Sequence, residues 1–62
     1  MNGYEKEVKE LLRINGWVYD RQAKGSHEYW KNGDNHVTVS HSIKSRHTAN
    51  AIMKEAGIRH KF

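Results

Sequence analysis

The stretch "KGSHEY", residues 24–29, holds the residues of this chain best suited to chemistry. His27 is a single imidazole directly after a Gly25-Ser26 turn, flanked by Lys24 and Tyr29. Histidine titrates near neutrality and can both take and give a proton at ordinary pH. Cleavage of RNA asks for little more. A base removes the ribose 2′-OH proton, the oxygen attacks phosphorus, and an acid protonates the leaving 5′-oxygen. A lysine can stabilise the extra negative charge on phosphorus. A lone histidine on a strand is also an ordinary polar surface residue, so its neighbours must decide.

The elements that position these groups follow from periodicity. Residues 3–15 read as an amphipathic helix, with Tyr4, Val8, Leu11 and Leu12 on one face. Asn2 and Glu5 form a capping-box pattern, and Glu5 and Lys9 have the spacing of a helical ion pair. Gly16 ends the helix, and Trp17 can fold back onto Leu12. A second helix spans about residues 47–56, with Ala49, Ile52, Met53 and Ala56 as its stripe and Ser45 or Thr48 as its cap. Gly57 ends it, with Ile58 contacting Met53, and residues 58–62 are expected to fray.

Between the helices, "WVYDRQ", "HEYWK" and "HVTVS" have strand character and are separated by "AKGS" and "NGDN". Two-residue turns at Lys24-Gly25 and Gly33-Asp34 predict the register. The second hairpin pairs Lys31 with His36, Trp30 with Val37, Tyr29 with Thr38, Glu28 with Val39 and His27 with Ser40. The first pairs Gln22 with His27, Arg21 with Glu28, Asp20 with Tyr29 and Tyr19 with Trp30. Alternation then sorts the sheet. One face collects Trp17, Tyr19, Trp30, Val37 and Val39, with Arg21 and Glu28 as a charge pair at its rim. The other collects Asp20, Gln22, His27, Tyr29, Lys31, His36, Thr38 and Ser40. Two amphipathic helices cover the apolar face, which predicts an α+β fold of order α-β-β-β-α with both helices on one side of an antiparallel sheet.

Composition bounds the rest. Sixty-two residues make a single domain, 1–62, whose core is thin, since a chain this short buries only about 60% of its unfolded surface. The chain has no cysteine, which removes disulfides and thiolate metal sites. No stretch approaches the roughly 20 apolar residues that span a bilayer, and nothing resembles a signal peptide. A soluble, cytoplasmic protein is expected. Eleven Lys and Arg against seven Asp and Glu give a net charge of +4, which suits a polyanionic partner such as nucleic acid. Residues 36–62 hold Glu55 as their one acid against Lys44, Arg46, Lys54, Arg59 and Lys61. This half would carry much of a phosphate contact, or else is a solvated charged face. His36 and His41 are an odd number of residues apart and so point to opposite faces of a strand, and there is no HExxH pattern, so no metal site is expected.

The order helix, "GW…R…KGSH", "VTVSH", "T…I…AGI" resembles the HicA-like toxins of type II toxin–antitoxin pairs, over about Glu7 to Ile58. The resemblance implies a double-stranded-RNA-binding-domain-like fold and an mRNA interferase that blocks translation under stress. It implies an RNase that needs no metal or other cofactor and is neutralised by a HicB-type antitoxin. It gives His27 the catalytic role, with Gly25 as the family's turn glycine and His41 as its frequent histidine after the third strand. Lys24, Gly25, Ser26 and Tyr29 are the expected supporting residues. Lys31, Ser40, His41, Lys44, Arg46 and Lys54 are candidate RNA contacts. Family members often carry proline where this chain has Ser40, and many carry histidine or an apolar group where it has Glu28. The aromatics Trp17, Trp30, Tyr19 and Tyr4 read as core rather than as base-stacking platforms. Tyr29 stays open between stacking and plain exposure. A non-catalytic RNA-binding or antitoxin-binding module on the same fold is the alternative. A DNA-binding domain is disfavoured by the lack of helix-turn-helix spacing.

Overall fold

The computed structural model describes residues 3–62. The order is α1 (Glu5–Ile14), β1 (Val18–Gln22), β2 (His27–Asn32), β3 (Asn35–Ser40) and α2 (Arg46–Glu55). The strands form one antiparallel sheet in the order β1-β2-β3. The expected α-β-β-β-α architecture is therefore present.

Helix α1 starts at Glu5, later than the expected residue 3. Its N-cap position is Tyr4, whose side chain makes no capping hydrogen bond. The Tyr4 N–H instead donates to the Ile43 carbonyl at 2.7 Å, tying this end to the loop before α2. The capping role expected of Asn2 lies outside the described residues. The two helix ends behave alike, because each apolar residue beyond the glycine folds back. Trp17 N–H donates to Leu12 O at 2.9 Å, and Ile58 N–H donates to Met53 O at 2.8 Å. At the start of α2 the Ser45 hydroxyl accepts the His47 N–H at 3.0 Å, so Ser45 rather than Thr48 is the cap.

Both helices lie on one side of the sheet. Val8 and Leu12 of α1, Ala49, Ile52 and Met53 of α2, and Trp17, Trp30, Val37, Val39 and Ile43 are the buried core. Ile43 is fully buried although it belongs to no regular element. Of the aromatics read as core, Trp17 and Trp30 are enclosed. Tyr4 is half-buried at the core's margin, and Tyr19 keeps half of its surface exposed while it packs edge-on to Trp30 with centroids 6.3 Å apart. Residues 58–62, expected to fray, make defined contacts. Phe62 N–H donates to Asn50 Oδ1 at 2.8 Å, and the Phe62 ring lies edge-on to Tyr4 at 5.3 Å.

The β2–β3 register is the expected one at every pair from Lys31–His36 to His27–Ser40. The β1–β2 register is not. Tyr19 faces Trp30, but Arg21 faces Tyr29 and Gln22 faces Glu28, with a bulge at Asp20. The loop explains the shift. Ala23 N–H donates to His27 O at 2.9 Å, so the turn holds three residues, Lys24, Gly25 and Ser26, instead of two. Pairing dictated by this loop is one residue out of step with the Tyr19–Trp30 pairing dictated by the core. The extra residue, Asp20, takes up the difference.

Ile43→Ala should cost about 2–5 kcal/mol of stability, because it empties a fully enclosed site. Urea unfolding followed by Trp fluorescence measures this, and a loss below about 0.5 kcal/mol would show that the loop before α2 does not seal the core.

Candidate functional site

His27 is the first residue of β2 and is exposed. The loop before it is braced twice, by the Ala23–His27 backbone bond and by Gln22 Nε2, which donates to Gly25 O at 3.1 Å. Gly25 takes φ +69°, a conformation that a side chain would strain. The His27 ring sits over this loop, with Nδ1 3.4 Å from the Lys24 carbonyl. A carbonyl can only accept, so in the tautomer with hydrogen on Nδ1 this contact is a long hydrogen bond and Nε2 is the free acceptor. On the other side His27 pairs with Ser40, and the ladder runs one step further through His41 N–H to Ser26 O at 2.7 Å. Lys24, Gly25, Ser26, His27, Ser40 and His41 therefore converge on one end of the sheet.

The sheet face away from the helices continues from there. Tyr29 follows His27 on this face, then Lys31, which lies opposite His36. The bulge adds a residue that sequence reasoning put elsewhere. Arg21, expected at the rim of the apolar face, pairs with Tyr29 and lays its guanidinium 5.2 Å from the centre of the Tyr29 ring. Tyr29 is thus half-covered rather than free. Lys31 and Arg21 lie 3.9 and 3.8 Å from the half-buried Asp20 carboxylate, both long and weak pairs. The face carries the cations Arg21 and Lys31, with the Asp20 carboxylate beside both, together with His27 and His36. No local signal for Arg21 exists in the sequence, since its placement depends on where the bulge falls.

The expected Arg21–Glu28 rim pair is absent, and Glu28 has other partners. It points to the helix side, with its side chain only 13% exposed. Trp30 Nε1–H donates to its Oε1 at 2.9 Å, while Lys9 Nζ and His41 Nε2 lie 3.4 and 3.0 Å from its Oε2. Lys9 reaches Glu28 rather than pairing with Glu5 in its own helix. One carboxylate thereby joins α1, β2 and the residue after β3. His41 is engaged below the sheet edge by its ring and at the edge by its backbone. Ser40 also has a structural duty. Its hydroxyl accepts the Ser42 N–H at 3.2 Å and donates to the Ser42 carbonyl at 3.1 Å. A side-chain turn of this kind restrains the backbone where a proline would do so by its ring.

The other candidate RNA contacts are spread out. Lys44 and Arg46 are exposed just before and at the start of α2, and Lys54 lies near its far end. They do not join the His27 cluster. Among the described residues no three His, Asp or Glu side chains gather into a set that could hold a metal ion. No helix among them is long and apolar enough to cross a membrane.

A comparison with protein families matches residues 6–58 to the family described as HicA toxin of bacterial toxin-antitoxin. Searches of the curated proteins and of the solved structures return no match.

The Glu28 cluster has a measurable signature. Burial alone would raise the Glu28 carboxyl. The Trp30 N–H bond, the charge and hydrogen bond of Lys9 and the charge of His41 outweigh it, and the net position is below the usual carboxylate value of 4.5. A depressed folded-state value means the cluster's stabilisation is fully present above the unfolded-state value, near 4.5. The stabilisation is lost as pH falls through the lower, folded-state value. Glu28→Gln should cost about 1–3 kcal/mol at neutral pH. Urea titrations of the two proteins should differ most at pH 7, begin to approach each other below about 4.5, and converge once pH has fallen through the depressed folded-state value, where wild-type Glu28 is also neutral. A gap that stays constant down to acid pH would show that the Glu28 charge adds nothing.

Proposed function

Because the chain belongs to the HicA toxin family of bacterial toxin–antitoxin systems, we propose that it is a metal-independent endoribonuclease that cuts messenger RNA and so inhibits translation. The observation that carries this reading is the setting of His27. It is an exposed imidazole at the first position of a strand, with one nitrogen against a carbonyl and with Arg21 and Lys31 on the sheet face beside it.

In the proposed reaction His27 Nε2 takes the proton of a ribose 2′-OH, and the freed oxygen attacks the adjacent phosphorus. The bond from phosphorus to the 5′-oxygen breaks as that oxygen takes a proton from a water molecule, and protonated His27 returns its proton to solvent. The products are a 2′,3′-cyclic phosphate and a free 5′-hydroxyl. The Lys24 ammonium, in the loop next to His27, offsets charge building on the phosphoryl oxygens. Arg21 and Lys31 bind the phosphates that flank the cut, and Tyr29, already under the Arg21 guanidinium, offers a surface on which a base can stack. His41 and Ser40 serve by holding Ser26 and the strand end, through the His41–Ser26 backbone bond and the Ser40–Ser42 turn. The substrate is cytoplasmic RNA, and a HicB-type antitoxin is the neutralising partner.

His27→Ala should fold normally and lose on the order of 10²- to 10⁴-fold in cleavage rate on a mixed RNA substrate. Wild type should cut equally well in EDTA and leave cyclic-phosphate ends detectable by mass spectrometry. Equal cleavage by both proteins would sink the assignment to His27, and cleavage that stops on chelation would sink the metal-free mechanism. Arg21→Ala should raise KM severalfold and flatten its salt dependence while kcat changes little. Unaltered KM would remove Arg21 from the RNA surface.

A further inference from the structure

Helix α2 has two distinct sides. Ala49, Ile52 and Met53 are buried against the sheet, whereas Ala51 and Lys54 are exposed on the outside. Past Glu55 the chain reverses at Gly57, where φ is +72°. The Ile58–Met53 backbone bond starts the return. The Phe62–Asn50 bond and the packing of Phe62 on Tyr4 and on His60, 4.6 Å between the latter ring centres, complete it. The tail thus runs back along α2 and forms one wall of a groove. Asn50, Ala51 and Lys54 line the helix side, and Ile58, Arg59 and Lys61 line the tail side.

The groove combines two properties. Its floor is apolar, made of Ala51, Ile58 and the aliphatic stems of the longer side chains. Its rim is cationic, with Lys54, Arg59 and Lys61 and no carboxylate among its lining residues. We propose that it is a docking site for an acidic segment of a partner protein, one that carries apolar side chains between its carboxylates. The rim supplies charge complementarity, which orients such a segment, and the floor takes its apolar side chains out of water. A phosphate backbone would use the rim but gain nothing from the floor. The groove also lies on the outer side of α2, which covers the sheet face opposite that of His27, so it is distinct from the proposed cleavage surface. Because the tail already holds its bonded position, little ordering cost remains to be met on binding. The proposal does not depend on RNA cleavage.

Ala51→Arg tests it. Ala51 is exposed and mid-helix, and arginine is a good helix former, so the fold should survive; circular dichroism checks this. The substitution fills the floor while adding positive charge. Fluorescence anisotropy would compare three probes against the whole chain: a short glutamate-rich peptide with interspersed leucines, the same peptide with serine for each leucine, and a short oligouridine. The glutamate–leucine peptide should bind best, and Ala51→Arg should weaken it on the order of tenfold. Arg59→Glu with Lys61→Glu should weaken it similarly. Equal binding of the serine peptide, tighter peptide binding by Ala51→Arg, or oligouridine binding that responds to Ala51→Arg while the peptide does not would each overturn the proposal. A loss of RNA cleavage by His27→Ala leaves these outcomes unchanged, so the two readings fail separately.

Discussion

The burial of Trp30, Val37 and Val39 under two helices is the constraint on which the rest of this small protein depends. Side chains alternate across a sheet, so sealing those positions against α1 and α2 turns their neighbours His27, Tyr29, Lys31, His36 and Thr38 the other way. A sheet with one covered face leaves the second face free for polar and charged groups at no cost in core packing. The candidate site is therefore a consequence of the core and is not built into it. No polar side chain among the described residues had to be buried to make it.

The thin core is reinforced at its edges by polar ties that cross between elements. Glu28 links Lys9 of α1, Trp30 of its own strand and His41 beyond β3. Tyr4 and Ile43 join the start of α1 to the loop before α2, and Phe62 returns to Asn50. Net gains from single bonds of this kind are about 0.5–3 kcal/mol, small in a large domain but a sizeable share of the stability expected from 62 residues. The same ties reach the candidate site. Glu28 anchors His41, and His41 holds Ser26, the residue before His27. A tie that stabilises the fold thus also steadies the loop that presents the imidazole.

The bulge at Asp20 shows how two local rules can conflict and still yield one structure. The loop of Lys24, Gly25 and Ser26 favours one register, and contact between Tyr19 and Trp30 favours another. One extra residue satisfies both. It also carries Arg21 across to the exposed face, where its guanidinium meets Tyr29. The positive charge of that face is greater than alternation from an unbroken strand would allow.

Much of this was legible in the residues themselves. The apolar periodicities of α1 and α2, the glycines that end them and the Gly33-Asp34 turn of the second hairpin are local patterns with local causes, and they carried the fold order and the exposure of His27. The family pattern around "GSH" is equally local. What only tertiary structure decided were matters of competition between distant groups. Nothing near Glu28 in the chain says that Lys9 and His41 will converge on it, because both are more than ten residues away. Nothing near Arg21 marks the bulge, since it arises from a loop on one side and a core contact on the other. The tail "RHKF" reads as loose by composition, yet Asn50 and Tyr4 give it partners that only the packed helices bring within reach. Periodicity fixes which way a side chain points when the backbone is regular. Long-range pairing decides where the regularity breaks, and here the breaks placed Arg21 on the open face and the tail against α2.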